Sequence, residues 1–407
     1  MLNPEQLYAR RIGGADFGRP GAVYKFGKIK QAKAEARERR PDTELLDFGV
    51  GEPDRMAPAP VREELKRAVD LPENRGYADN GPKPFKQAAA DWMRTVFGAE
   101  IDPAAEVNHC VGLKPALAML PLAFVNPGDA VLHTVPGYPV IATHTRYMGG
   151  EPVALPLHRD QGFCPDLDAI DPETADRAKL FYVNYPNNPT GATATDEFFD
   201  RLIRFADRHG ILIVQDAAYA TLTYDGAPRS ILARPGGKEC ALEMHSLSKS
   251  YNMTGWRLGF FAGPSWAVRA LATVKDHSDS GQFKAIQQAG CAGLADPGLA
   301  ESIRDHYEKR LRRMVELLNV AGFDARMPGG TFYLYVPAPK AAGKVTFSNA
   351  EEASLHLLRE HSVSTVPWDE AGPYLRFSAT FESAGDQDDE RVLQELAARL
   401  ARADLRF

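Results

Sequence analysis

Two hydrophobic rhythms alternate along this chain. Short apolar runs occur at Ala130–Val135 (AVLHTV), Leu180–Asn184 (LFYVN), Ile211–Gln215 (ILIVQ) and Phe260–Ala262, and each reads as a buried strand. Between them, apolar residues recur at helical spacing, as in Lys114–Phe124 and Thr195–Arg208. In the second stretch, Phe198, Phe199, Leu202, Ile203 and Phe205 form one stripe, and Gly210 is placed to close the helix. Strands alternating with amphipathic helices predict an α/β domain built on a mainly parallel sheet.

Further along, Gly298–Val320 (GLAESIRDHYEKRLRRMVELLNV) reads as one amphipathic helix, long enough to bridge two domains. Strand-like Thr331–Val336 (TFYLYV) and Tyr374–Phe377 follow it, and then a charged helix from about Asp388. A chain of 407 residues exceeds what a single core usually serves. The expected organisation is a large α/β domain at 51–299 and a smaller α+β domain at 300–407. An N-terminal arm, 1–50, is expected to pack back on the smaller domain.

Composition narrows the functional class only a little. Apolar residues make up 44% and charged residues 25%, as in an ordinary globular protein, and the net charge of −6 favours no nucleic-acid partner. The basic stretch Lys25–Arg40 is interrupted by glutamates at helical spacing and reads as a solvated helix face. The opening MLNPEQLYARRIGG lacks the apolar core of a signal peptide. No run reaches the roughly eighteen apolar residues that a membrane span needs. The four cysteines, Cys110, Cys164, Cys240 and Cys291, are widely spaced. They predict reduced thiols in a cytoplasmic protein rather than disulfides or zinc. No HExxH pattern or carboxylate–histidine cluster points to a metal.

The residues that carry chemistry follow the apolar strands, where open α/β sheets bind ligands. His245-Ser246-Leu247-Ser248-Lys249 is followed by Arg257 in GWRLG. A lysine amine at a strand end can form a Schiff base with an aldehyde cofactor, and Ser246, Ser248 and Arg257 suit a phosphate. Read alone, Lys249 is more simply one surface lysine among many. Asp216 closes ILIVQ, where a buried carboxylate either meets a cation such as a protonated pyridine nitrogen or caps the next helix. Tyr219, three residues on, is placed to reach the phenolic oxygen of such a ring.

Tyr185-Pro186-Asn187-Asn188-Pro189-Thr190-Gly191 marks a tight turn that either aims the Asn188 amide at a ligand or is purely structural. Val111-Gly112-Leu113-Lys114-Pro115 sits at a strand-to-helix junction, where backbone N–H groups bind phosphate. Neither a Walker loop nor a GxGxxG after a strand occurs, which argues against a dinucleotide enzyme. Tyr138, in VPGYP, is placed to stack on a ring or to fill the core. Tyr77, in RGYADNG, is placed to donate to a phosphate or to anchor a loop.

Taken in order, the Gly-rich junction, the stacking aromatic, NNPTG, DxxY, SxSK and the following arginine resemble the fold-type I pyridoxal 5′-phosphate (PLP) aminotransferases of the aspartate aminotransferase class. The resemblance implies the α/β fold of a fold-type I PLP-dependent transferase. That fold has a large domain with a mainly parallel sheet flanked by helices, and a smaller α+β C-terminal domain. It implies that Lys249 holds PLP as a Schiff base and serves as general base and acid. Asp216 would pair with the pyridine nitrogen, and Asn188 and Tyr219 would bind the phenolic oxygen. Gly112, Leu113, Lys114, Ser246, Ser248 and Arg257 would hold the phosphate, with Tyr138 stacked on the ring. Tyr77 would reach the neighbouring subunit's phosphate, so the active form is expected to be a homodimer with shared sites. Arg376, in YLRFS, matches the arginine that grips a substrate α-carboxylate; its plainer reading is a solvated strand arginine.

At finer grain, nearly the whole chain is similar to the LL-diaminopimelate aminotransferases. The segments that carry this are DFGVGEPD (47–54), LPENRGYADNG (71–81), HSLSKSYNMTGWRLGF (245–260), VKDHSDSGQF (274–283) and STVPWDEAGPYLRFS (364–378). That resemblance implies ping-pong transfer from LL-2,6-diaminopimelate to 2-oxoglutarate, giving tetrahydrodipicolinate, glutamate and water, a step in lysine biosynthesis. It places Tyr24 and Gly51 against the substrate together with Tyr138, Asn188 and Arg376. After the glycine that matches Gly51, plant-type members carry a different loop where this chain reads Glu52-Pro53-Asp54; they also read SFSK for SLSK. The competing expectations are an aminotransferase for aspartate or an aromatic amino acid and, from another class, a PLP-binding regulator. The regulator would need a helix-turn-helix module, for which the stretch before GVGEPD is too short.

Overall fold

The computed structural model describes residues 7–18 and 25–407. At its centre lie β1 (Val107–Cys110), β2 (Ala130–Val135), β3 (Glu151–Pro156), β4 (Ala178–Asn184), β5 (Leu212–Asp216), β6 (Ala241–Ser246) and β7 (Gly259–Ala262). They form a seven-stranded sheet in the order β1-β7-β6-β5-β4-β2-β3. Only β7 runs against its neighbours, because the chain re-enters the sheet from the edge at which β6 ended. The mainly parallel sheet expected from the sequence is therefore present.

Period-two alternation sorts each strand's side chains between two cores. On β4, Phe181 and Val183 face one core while Leu180 and Tyr182 face the other; on β5, Ile213 joins the first and Leu212 and Val214 the second. α1 (Lys25–Arg39) precedes the sheet in the chain, and the helices that flank the sheet include α2 (Leu113–Phe124), α3 (Asp196–His209) and the short α4 (Leu247–Ser250). The α3 helix starts where the Thr195 hydroxyl accepts from the Phe198 amide at 3.1 Å. It ends on Gly210, whose φ of 65° suits a residue without a side chain.

The remaining elements are α5 (Pro297–Val320), β8 (Tyr333–Pro337), α6 (Ala350–His361), β9 (Val366–Trp368), β10 (Tyr374–Ser378) and α7 (Asp386–Arg402). Ala300, near the start of α5, packs in the core of the large sheet, whereas Ile303, Tyr307, Leu311, Met314 and Leu318 enter a second core. That core lies beneath an antiparallel sheet of order β9-β10-β8. The strand expected at Thr331 begins two residues later, because Thr331 has a φ of 68° that cannot continue a strand. The terminal helix begins at Asp386 rather than Asp388 and gathers Asp386, Asp388 and Asp389 in its first turn, where the helix dipole favours them.

The segment before residue 51 also meets this second core. Ala32 and Ala36 of α1 pack on Leu358 of α6, and Leu46–Asp47 pairs in parallel with Val363–Ser364. Lys33 closes the corner with bonds of 2.8 and 2.7 Å to Asp47. Arg310, buried on α5, bonds Asp54 at 3.1 Å and Asp389 at 2.7 and 2.9 Å. Tyr307 adds a hydroxyl bond to Asp54 at 3.0 Å. One helix thus anchors both the loop after Gly51 and the start of α7. Among the described residues, no helix is long and apolar enough to cross a membrane, and no cluster of metal-ligating side chains occurs.

Candidate active site

The carboxyl ends of β4, β5 and β6 open onto a cavity of about 500 Å³. Asp216 is the last residue of β5, and Ser246 the last of β6. The Ser246 hydroxyl accepts from the Ser248 amide at 3.1 Å, which starts α4 and sets Lys249 on its single turn. The Lys249 ammonium nitrogen donates to the Gly51 carbonyl at 2.6 Å. Desolvation by the surrounding protein brings its pKa down from 10.5 to about 8, with Arg376 and Arg257 adding to the fall and Glu52 opposing it.

Asp216 has the opposite problem. Burial pushes its pKa up to about 6, against the hydroxyl bond from Tyr182 at 3.0 Å and the amide bond from Ala218 at 3.1 Å. No lysine or arginine among the described residues pairs with it. A buried acid so placed fits a ligand cation, and a protonated pyridine nitrogen meets that need. Other residues of the cavity suit an anion. Arg257 turns inward from a left-handed backbone position (φ 58°), anchored by its bond to the Thr254 carbonyl at 2.9 Å. Gly112 has φ 74°, and a side chain there would run into the Arg257 guanidinium. Leu113, Lys114, Ser246 and Ser248 border the same cavity. A buried acid, an amine and a cationic group beside a glycine turn, all on one cavity, fit PLP.

The turn after β4 is held from within, since the Asn187 side-chain oxygen accepts from the Thr190 amide at 3.1 Å and hydroxyl at 2.8 Å. It presents Asn188, whose amide nitrogen donates to Asn184 at 2.9 Å and whose side-chain oxygen accepts from Arg376 at 2.9 Å. Arg376 is buried on β10 and gives a second bond to the Gly49 carbonyl at 3.1 Å. A solvated strand arginine is therefore not what the fold builds. Tyr138 packs against the core of the large sheet and Tyr219 in the second core, and both border the cavity.

The structure thus brings Gly51, Leu113, Lys114, Tyr138, Asn188 and Asp216 to one wall or another of a single cavity. Tyr219, Ser246, Ser248, Lys249, Arg257 and Arg376 share it, with Gly112 just behind. Tyr77 lies elsewhere, 82% exposed, and Tyr24 lies outside the described residues. Glu52, Asn184, Thr254 and Tyr333 also line the cavity, and sequence reasoning passed over them. Asn184 was detectable as a polar residue ending a buried strand. Tyr333 looked like one more core aromatic in TFYLYV.

Comparison with known proteins agrees with this geometry. The family model described as aminotransferase class I and II matches residues 43–390. LL-diaminopimelate aminotransferase of Methanocaldococcus jannaschii is 51% identical over 99% of both chains. The enzyme of the same name from Methanococcus maripaludis is 48% identical over the same shares. Among solved structures, substrate-bound BacF of Bacillus subtilis superposes with a TM-score of 0.88 at 29% identity, covering 100% of this chain and 98% of that one. The chain belongs to the class I and II aminotransferases, and it is a PLP-dependent transferase.

Proposed function

We propose that this protein transfers the amino group of LL-2,6-diaminopimelate to 2-oxoglutarate, giving tetrahydrodipicolinate, glutamate and water in lysine biosynthesis. The observation that carries the reading is 51% identity, over 99% of both chains, to an LL-diaminopimelate aminotransferase. We assign the residues as follows. Asp216 holds the proton on the pyridine nitrogen, and Asn188 and Tyr219 donate to the phenolic oxygen. Gly112, Leu113, Lys114, Ser246, Ser248 and Arg257 hold the phosphate, while Tyr138 stacks on the ring. Arg376 grips the substrate α-carboxylate as a bidentate donor, beside Gly51 and Tyr24.

PLP when bound supplies a carbonyl for the substrate amine and a ring that takes up the charge left on Cα. The chain's own part is acid–base and positional. Desolvation favours a neutral Lys249 amine near pH 8, which would suit Nζ to hold the cofactor's carbonyl carbon and to carry a proton to and from Cα. Asp216 becomes a full carboxylate once a cation faces it, since an opposite charge offsets the burial that raised it. Arg376 fixes the substrate by one carboxylate, which leaves Cα within reach of the amine.

We also assign residues 51–299 to a PLP-binding domain, 300–407 to the smaller domain and 1–50 to an arm on the latter. The active form is a homodimer in which Tyr77 of each protomer completes the other's phosphate site. The four free thiols suit a reducing, cytoplasmic setting. The test is a half-reaction titration of the PLP-loaded protein with LL- and meso-diaminopimelate, aspartate, glutamate and tyrosine, following the cofactor's absorbance. Fast responses to LL-diaminopimelate and glutamate are expected. A preference for aspartate or tyrosine would overturn the substrate assignment and leave the cofactor site standing.

A further inference from the structure

Tyr333 opens β8 at the floor of the cavity and is only 1% exposed. Its ring lies 4.1 Å from the guanidinium carbon of Arg376, within cation–π range. Its hydroxyl is 3.1 Å from the hydroxyl of Tyr219. The same hydroxyl occupies the space a side chain at position 51 would need, 2.8 Å from a Cβ built on Gly51. The backbone leading to it is strained. Thr331 is β-branched yet sits at φ 68°, a conformation such residues rarely adopt without a reason. From there its hydroxyl accepts from the Tyr333 amide at 3.1 Å, while its own amide donates to the Leu222 carbonyl at 2.8 Å.

We infer that Tyr333 is a positioning residue that ties Arg376 to Tyr219, its ring orienting the guanidinium and its hydroxyl polarising the phenol. The inference rests on the proposed roles of Tyr219 at the phenolic oxygen of PLP and of Arg376 at the substrate carboxylate. Tyr219 owns a single hydroxyl proton. When that proton points to a ligand, the Tyr219 oxygen accepts, and Tyr333 stands within reach as donor. Hydrogen bonds in series strengthen one another inside a protein, so Tyr219 becomes a better donor than a lone phenol. Arg376 has already committed bonds to Asn188 and Gly49. Its buried Nε has no partner among the described residues, and the Tyr333 ring beneath holds the guanidinium plane in which that donor lies.

The charged and titratable groups around the pair are Asp216 from β5, Tyr182 from β4, Arg376 from β10 and, on the same cavity, Tyr138, Lys114, Lys249, Glu52 and Arg257. All stay in place in Tyr333→Phe, Tyr333→Leu and Tyr219→Phe. In each holoenzyme two quantities are read: the pH midpoint of the cofactor's absorption band, and the Kd of pimelate, the unreactive dicarboxylate with diaminopimelate's carbon skeleton. A weaker bond to the phenolic oxygen leaves more negative charge beside the titrating nitrogen, which then keeps its proton to higher pH. Tyr333→Phe is expected to raise the midpoint by roughly half a unit, less than Tyr219→Phe does, with pimelate affinity unchanged within about twofold. Tyr333→Leu is expected to give the same midpoint shift and to weaken pimelate about fivefold, since the ring is lost too. If Tyr333→Phe titrates like the parent while Tyr219→Phe shifts, the inference fails and the reading of Tyr219 survives. If Tyr219→Phe does not shift, both fall. A leucine variant that binds pimelate as the parent does would overturn the role given to the ring.

Discussion

Burial has moved two ionisable side chains in opposite directions, and their stability signatures differ accordingly. The carboxyl of Asp216 titrates at about 6 rather than 3.8. Between those values the folded chain holds a proton that the unfolded chain has released, so this group's contribution is present below about pH 4 and lost as pH rises through about 6. Lys249 titrates at about 8 rather than 10.5, so the unfolded chain binds more protons in that window and stability rises with pH across it. Without PLP, Asp216→Asn should gain on the parent as pH climbs from 4 to 6 and hold a gain on the order of 3 kcal/mol above that. Denaturant unfolding at pH 4, 6 and 8 reads this; a difference independent of pH would show that Asp216 is not the titrating group. With PLP the balance inverts, because the variant gives the ring cation no charged partner and cofactor affinity drops. Lys249→Ala should cut transamination by at least about 10³-fold while leaving the fold intact, and a variant that aminates a 2-oxo acid at the parent rate would remove the amine from the reaction.

At the scale of elements, the site depends on how α5 holds the loop that carries Gly51. Asp54 takes the Arg310 guanidinium at 3.1 Å and the Tyr307 hydroxyl at 3.0 Å, while Lys249 donates to Gly51 three residues earlier. Removing a buried carboxylate leaves a cation partly unpaired and costs about 3 kcal/mol. Asp54→Ala should therefore unfold at lower denaturant and, on the role proposed for Gly51, also raise the donor KM about three- to tenfold as that loop loses its anchor. A destabilised variant with an unchanged KM would uncouple the clamp from the site. None of this was legible in the sequence. Charges on a long amphipathic helix read as solvated, and only the fold shows that Arg310 and Asp54 meet across 256 positions. By contrast, β2 and the ends of α2 and α3 were readable nearly to the residue, because periodicity and the Thr195 and Gly210 caps are local signals. Lys249, Asp216 and Asn188 were readable because each follows a strand in a recognisable order. Tyr333 was not, because its partners lie on β10 and after β5, and no spacing within TFYLYV records a diagonal contact between strands.

For the whole molecule, the question is what covers Tyr77. A tyrosine 82% exposed is ordinary on a loose loop, but this loop is held firmly. The Ala78 and Asp79 amides donate to the Ser280 carbonyl at 3.3 and 3.1 Å. The segment leading to Ser280 is pinned by the ion pair of buried Lys275 with half-buried Asp279, at 2.8 and 3.0 Å. An anchored, exposed aromatic with a polar tip suits an interface, and in the proposed shared-site dimer a second copy of the chain would cover it. The arrangement makes an arithmetic prediction. Lys249→Ala and Tyr77→Ala each impair both sites of their own homodimer. In the mixed dimer, one site takes its lysine and its tyrosine from the unmutated positions of the two chains, and the other site takes both defects. Random pairing makes half of the dimers mixed, so co-expressing the two variants should restore about a quarter of the parent activity per protomer. Recovery no greater than the average of the two variants would mean that Tyr77 serves its own chain or none, and that the sites are not shared.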